Sequence, residues 1–309
     1  MIRDFETADA AAVSAALHEE ELPHPVTPPG VLHWRDAQPE RARARMWVAE
    51  DEGRMVGWAE ARLRWTTKAA GIGDLWAYVV PAARGREIGQ GLYEETERHL
   101  RAVGALVLES WTYTRGGERL LALRGFRATG QERVSRLDPA RTDTSMLEAF
   151  EAKSAAEGFR VVPLAEVRDR VEELHRVYAA ASADVPEYFR EDDIRLEEWR
   201  RETLDHPQLS GEGSFIVLSG EQPVALAFLE VDEPASIVAN EMTGTLHEFR
   251  RRGLARLAKL ATIRWAAEQG FRTMLTGNAD TNTAMLGLNE SLGYRPVLKE
   301  THFVREDLS

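Results

Sequence analysis

The residues best suited to chemistry lie in one short basic segment, residues 250–255, which reads Arg-Arg-Arg-Gly-Leu-Ala. An apolar pattern with helical spacing follows it and stops at Gly270, so the segment would form the first turn of a helix. The first amides of a helix lack intrahelical partners and carry partial positive charge, which favours a bound anion. Gly253 and Ala255 would let a phosphate approach those amides closely, and the arginines would add charge. The segment therefore predicts an anion site, although an exposed helix start can also carry Arg and Gly without binding anything.

The elements that must position this segment are strands on either side of its helix. Residues 236–246 predict a strand that ends just before it, and residues 271–279 predict a second strand after the helix. Asn282 can cap a further helix, which leads into the run Asn-Glu-Ser-Leu-Gly-Tyr-Arg-Pro. This order resembles the GNAT superfamily of N-acetyltransferases, in particular its bacterial tandem members, where R/Q-x-x-G-x-G/A holds the pyrophosphate of acetyl-CoA. The resemblance is close from about residue 235 onward and looser over the rest of the chain.

The resemblance implies where acetyl-CoA would lie. Its pantetheine arm would enter between strand 236–246 and the strand after the helix, which diverge in the family, and would pair with exposed strand backbone. The main-chain amide of Leu246 would face the thioester oxygen as an oxyanion-type donor. The residues implied in acetyl-CoA binding are Thr245, Leu246, Arg250, Arg251, Arg252, Gly253, Leu254, Ala255, Asn278 and Asn282.

The resemblance also implies catalytic roles for three side chains. Glu241 is the candidate general base, because a carboxylate on this strand can take the proton from an incoming ammonium; the alternative is an arginine partner or a solvent-facing residue. Asn289 stands where many family members have the tyrosine that protonates the leaving thiolate. Asparagine can hydrogen-bond the sulfur but cannot serve as a useful acid. Protonation would then fall to Tyr294 or water, or proceed without a side-chain acid.

The acceptor side is expected in an acidic stretch, residues 183–204. In GNAT-like folds this segment lines the acceptor site, so its charge suggests a cationic amine, with Asp184 and Tyr188 as candidate substrate-binding residues. The alternative is a solvated charged face on a protein that is acidic throughout.

The first half of the chain repeats the same order of elements with a damaged motif. Aligned with the basic segment, its copy at residues 84–89 places Glu87 opposite Gly253. A glutamate there adds negative charge where the pyrophosphate should pack. A register shifted by two residues, with Gly89 in the glycine position, also satisfies the bare pattern but spoils the flanking spacing.

The predicted fold class is α/β with a mixed, mostly antiparallel central sheet, a splayed strand pair and flanking helices, built as two tandem GNAT acyl-CoA N-acyltransferase domains. A repeat of about 150 residues indicates a domain duplication. We expect residues 1–145 to form a degenerate N-terminal domain and residues 146–309 to form the active C-terminal domain, with the boundary in the Pro/Asp/Thr-rich stretch that begins at Asp138.

Composition excludes several classes of function. The chain has 309 residues, 43% of them hydrophobic, and a net charge of −12, which favours packed domains and disfavours nucleic-acid binding. With no cysteine there is no thiolate metal site or cysteine nucleophile, and the eight histidines lack metal-ligand spacing. No apolar run approaches the about 20 residues of a membrane span, and the start does not read as a signal peptide.

Together with the resemblance, which implies a bacterial enzyme that uses acetyl-CoA, these observations predict a cytoplasmic protein that needs no metal. Its partner would be a small-molecule amine, with no nucleic acid or membrane, and it would be a monomer or homodimer. The amine would attack the thioester directly in a ternary complex. The alternative is a catalytically silent CoA-binding or regulatory protein, which the degenerate first half and Asn289 both motivate.

Overall fold

The computed structural model describes residues 1–19, 25–186, 188 and 190–306. They divide into two compact units, each described here by itself. Unit 1 comprises residues 1–19, 26–132 and 299–306, and unit 2 comprises the described part of residues 133–298.

Strands and helices alternate along the chain. The strands are β1 (Ile2–Asp4), β2 (Arg45–Asp51), β3 (Arg54–Leu63), β4 (Ile72–Val79), β5 (Val107–Thr112), β6 (Arg127–Leu137), β7 (Phe159–Pro163), β8 (Phe215–Ser219), β9 (Gln222–Asp232), β10 (Ile237–Thr245), β11 (Thr273–Ala279) and β12 (Arg295–Arg305). The helices are α1 (Ala10–His18), α2 (Pro28–Asp36), α3 (Ile88–Ala102), α4 (Arg115–Leu123), α5 (Met146–Ala156), α6 (Val171–Ser182), α7 (Leu196–Trp199), α8 (Leu254–Glu268) and α9 (Thr283–Ser291). A π-helical turn, Arg200–Leu204, continues α7.

Unit 1 has the strand order β1-β2-β3-β4-β5-β12. Neighbours are antiparallel except β4 and β5, which run parallel from Ile72 to Asp74 and then part. Residues 301–305 of β12 pair with β5, so a segment from the far end of the sequence completes this sheet. The sequence did not predict that pairing, because strand partners are set by long-range packing that a local pattern does not encode.

Unit 2 has the strand order β6-β11-β10-β9-β8-β7. Only β10 and β11 are paired in parallel among the registers described for this unit, and α8 packs against the sheet with an apolar face that includes Leu257, Ala258 and Ile263. The predicted helix after the basic segment is confirmed, with Gly270 at φ 79° just beyond its end. The predicted mixed fold, mostly antiparallel with a splayed strand pair, is likewise confirmed. None of the described helices is both long and apolar enough to cross a membrane.

Candidate functional site

The site of unit 2 begins where β10 and β11 part. Their pairing ends at Asn240 and Thr276, although β10 continues to Thr245. Opposite β9, β10 carries a bulge between Asn240 and Thr243. A bulge bends its strand and leaves a residue outside the ladder, so unpaired backbone faces the gap between the parted strands.

A cavity of about 610 Å³ lies elsewhere in unit 2, near Arg136 and Arg295. The cavity that matters here, about 520 Å³, lies at the parted strands and the start of α8. It brings together eight residues that the sequence analysis selected: Asp184, Thr245, Arg250, Arg251, Gly253, Leu254, Ala255 and Asn282. The hydroxyls of Thr243 and Thr245 are buried at this cavity without a hydrogen-bond partner among the described residues. Unsatisfied hydroxyls beside unpaired strand backbone fit an amide-rich chain such as pantetheine.

The turn before α8 has an unusual backbone. Arg251 and Gly253 both have positive φ, 62° and 81°. In unit 1 the corresponding positions are Gly85, with φ 80°, and Glu87, with φ 62°. The two turns therefore have the same backbone conformation, but glycine occupies the first positive-φ position in unit 1 and the second in unit 2. This agreement supports the alignment of Glu87 with Gly253 and not the shifted register.

Two of the three arginines of the turn, Arg250 and Arg252, already have partners within unit 2. Arg250 donates through Nε to the carbonyl of Thr245 at 3.1 Å and forms an ion pair with Asp184. The Arg252 guanidinium lies over the rings of Phe159 and Phe249 and does not line the cavity. Asp184, predicted to contact the acceptor, thus lies beside the basic turn, where it lines the cavity.

Arg256 is a cavity residue that the sequence analysis missed. It lines the cavity from the first turn of α8 and donates to the hydroxyl of Ser291 at 2.7 Å. Its place three residues after Gly253 could have revealed it, since a cation in the first turn of this helix lies near an anion bound at the helix start.

The predicted oxyanion donor has a different contact. The Leu246 amide donates to the carbonyl of Val224 at 2.9 Å, so β9 occupies it. The Leu246 amide is therefore not free to donate to the thioester oxygen, contrary to the expectation from the sequence.

Glu241 lies on the bulged part of β10 and is held by a tyrosine. The hydroxyl of Tyr178 on α6 donates to Oε1 of Glu241 at 2.9 Å. Although the Glu241 side chain keeps exposed area, loss of hydration raises its pKa well above the ordinary value, and the charge of Glu230 raises it further, while the Tyr178 hydrogen bond opposes the shift. Burial and the charge of Glu230 therefore make the Glu241 carboxylate more basic than that of a free glutamate.

Other carboxylates surround this pair. Glu230 on β9 lies 3.6 Å from Nδ1 of His206, and burial, with the charge of Glu202, raises the pKa of Glu230 to about 7. Glu191 and Glu202 also act on the pKa of Glu241 through their charges. Both belong to the acidic stretch, whereas Tyr188, the predicted substrate-binding residue of that stretch, is 43% exposed and does not line the cavity.

The predicted asparagines and Tyr294 form internal contacts. Asn289 is buried, and its Nδ2 donates to Oδ1 of Asn278 at 2.6 Å. Asn282 caps α9, accepting from the amide of Met285 at 3.2 Å. Tyr294 is fully buried and donates to Oδ1 of Asn240 at 3.0 Å. Of these residues, Asn282 and Met285 line the cavity.

Gly244 allows α6 to pack against β10 beside the cavity. A Cβ at this position would lie 2.2 Å from Cβ of Ala181, closer than any real contact. Gly244→Ala is expected to lower the free energy of unfolding by about 1–3 kcal/mol, because the helix or strand must shift. Urea denaturation measures this. The matched control is Gly287→Ala in α9, where the added Cβ meets nothing within 4 Å and should stabilise by about 0.5–1 kcal/mol. Equal midpoints for the Gly244 variant and the parent protein would contradict the close packing.

Among the described residues, no group of three or more His, Asp or Glu side chains could hold a metal ion. The model of the acetyltransferase (GNAT) family matches residues 12–126 and 174–294. No curated protein matches the sequence.

Two solved structures of similar length share the fold. A tandem GNAT protein from the clavulanic acid biosynthesis pathway is 18% identical with a TM-score of 0.73, covering 99% of this chain and 98% of its own. A GCN5-related N-acetyltransferase from Sphaerobacter thermophilus is 15% identical with a TM-score of 0.65, covering 99% and 95%. At these identities the similarity shows the fold alone.

Proposed function

Because the chain belongs to the acetyltransferase (GNAT) family, with one matching domain in each half, we propose that it is an acetyl-CoA-dependent N-acetyltransferase acting on the primary amine of a small molecule. The observation that carries the proposal is the cavity that joins the parted strands of unit 2 to the start of α8. It combines open amides and arginines for a pyrophosphate with unsatisfied hydroxyls for a pantetheine arm.

Different residues of unit 2 would bind different parts of acetyl-CoA. The first-turn amides at Gly253, Leu254 and Ala255 would hold the pyrophosphate, with Arg250, Arg251 and Arg256 adding charge. Binding would draw Arg250 away from Asp184. Thr243 and Thr245 would meet the arm that enters toward the bulge.

Glu241 would then act as the general base. The amine nitrogen forms its bond to the acetyl carbon as the carbon–sulfur bond breaks, and the amine proton passes to the Glu241 carboxylate directly or through water. Because its pKa is raised, the Glu241 carboxylate is a stronger base than that of a free glutamate. Tyr294 and Asn289 are buried and donate to Asn240 and Asn278, so the proposal gives protonation of the leaving thiolate to water.

The acceptor would be cationic. The charges of Glu191, Glu202 and Glu230 act on the Glu241 carboxylate. This concentration of negative charge favours the binding of a molecule that carries an ammonium group.

Unit 1 would not catalyse the reaction. The pairing of β3 with β4 is regular. Where β10 has two residues between Asn240 and Thr243, β4 has a single residue, Trp76, between the matching positions. Unit 1 therefore lacks the bulge and has no carboxylate at the place of Glu241. Together with Glu87, this supports the proposal that residues 1–145 are a degenerate copy and 146–309 the active domain.

A catalytically silent CoA-binding protein is the second candidate, favoured by Asn289 at the usual tyrosine position. Thermal shift with acetyl-CoA, run beside a thiol-release assay on a panel of mono- and polyamines, tests both. Stabilisation with amine-dependent thiol release supports the transferase. Stabilisation without release on any amine supports the silent protein, and no stabilisation contradicts both.

A further inference from the structure

We propose that Tyr178 is a positioning residue for the reaction: its hydroxyl holds Oε1 of Glu241 and leaves Oε2 to accept the proton of the acceptor amine. The inference rests on the proposed function, in which Glu241 is the base. It is based first on the 2.9 Å hydrogen bond that the Tyr178 hydroxyl donates to Oε1 of Glu241.

The Tyr178 ring is fixed in place by its packing. Its centroid lies 5.5 Å from that of Trp199 and 6.2 Å from that of Phe228, and both neighbouring side chains are buried to 1% exposure or less. A tyrosine confined in this way presents its hydroxyl at one point. Without a partner, the Glu241 side chain would lose rotamer entropy when it adopts the reactive conformation. A fixed hydrogen-bond partner holds it in that conformation before the substrate binds.

The close approach of α6 to β10 brings the two groups together. Ala181 lies against Gly244, where a side chain on the strand would not fit. Ala181 is three residues from Tyr178 and lies on the same side of α6. The glycine on β10 therefore allows the helix to come near enough for the tyrosine to reach the carboxylate.

The charges around Glu241 explain why a neutral donor is needed. Glu230 from β9, Glu202 from the π-helical turn and Glu191 from the preceding loop all present negative charge to it. The Tyr178 hydroxyl donates to the carboxylate and lowers its pKa against the effects of burial and of those charges. Burial, with the charges of Glu241, Glu191 and Glu202, raises the pKa of the Tyr178 hydroxyl well above its ordinary value, so it remains protonated and able to donate.

Tyr178→Phe tests the assignment, because it removes the hydroxyl and keeps the ring. Loss of the donor raises the pKa of Glu241 further, so the acidic limb of the profile of kcat/KM against pH should move to higher pH. We expect kcat to fall about tenfold or more with KM for acetyl-CoA unchanged. Tyr93→Phe is the matched control: this buried tyrosine of unit 1 accepts from Arg305 at 2.9 Å, and its variant should keep the pH profile of the parent protein.

Two further variants make the result decisive. Trp199→Phe leaves the hydroxyl but loosens the packing of the Tyr178 ring, and it should move the acidic limb in the same direction by less. Glu241→Gln tests the base itself. An inactive Glu241→Gln with an unshifted Tyr178→Phe profile overturns the positioning role and leaves the proposed function standing. An active Glu241→Gln overturns the assignment of the base, whatever Tyr178→Phe does.

Discussion

Glu241→Gln is expected to lower kcat by roughly 10²- to 10⁴-fold, the usual contribution of a positioned general base. The amide matches the carboxylate in shape but cannot accept the proton of the attacking amine. Because Glu241 is not among the residues that line the cavity, the affinity for acetyl-CoA should stay within about twofold. Thiol release measures kcat, and titration calorimetry with acetyl-CoA measures the affinity.

The same substitution has an expected effect on stability with a definite sign. A carboxyl group whose pKa is raised by folding binds its proton more tightly in the folded state, so its contribution is present at low pH and lost as pH rises above the unfolded value near 4.5. Above that pH the Gln variant should have a Tm equal to or higher than that of the parent protein. Glu248→Gln, an exposed glutamate outside the cavity lining, is the control and should change neither rate nor Tm. A Glu241→Gln variant that keeps more than about a tenth of the parent kcat would contradict the role of the base.

The local parts of the site could be predicted from the sequence. Helix α8, the basic turn that precedes it and the cap at Asn282 all depend on neighbouring residues, and each lies where the pattern placed it. The positive φ of Gly253 also follows from residue type, since glycine adopts that conformation at little cost.

The long-range contacts of the site could not be predicted from the sequence. Tyr178 meets Glu241 across 63 residues, and in the sequence it is only one apolar position on a helix face. The hydrogen bond of the Leu246 amide to Val224 depends on strand register, and no residue type in the sequence signals that register. The completion of unit 1 by β12 is of the same kind. These contacts arise from packing, where many residues of similar polarity would give the same local pattern.

Gly253→Glu is expected to weaken acetyl-CoA binding by about 100-fold or more. It would introduce the residue that unit 1 already carries at the matching position, Glu87, where φ is 62°. The turn should therefore fold, and the nearest atom to an added Cβ, Cε1 of Phe150, lies 3.7 Å away. A carboxylate within about 5 Å of the pyrophosphate costs about 3 kcal/mol at an effective dielectric of about 20, which corresponds to the stated loss.

Two variants separate charge from bulk and from backbone strain. Gly253→Gln has the size of glutamate and the same cost at positive φ but no charge, so it should bind acetyl-CoA more tightly than Gly253→Glu. Glu87→Gly removes the charge from unit 1, and by itself it should leave the calorimetric affinity and stoichiometry of the protein unchanged. If Gly253→Glu bound acetyl-CoA as tightly as the parent protein, the pyrophosphate would have to lie elsewhere than on the first turn of α8. If Glu87→Gly created a second binding site, the charge at position 87 alone would separate the silent turn from the active one, because the backbone of the two turns is already alike.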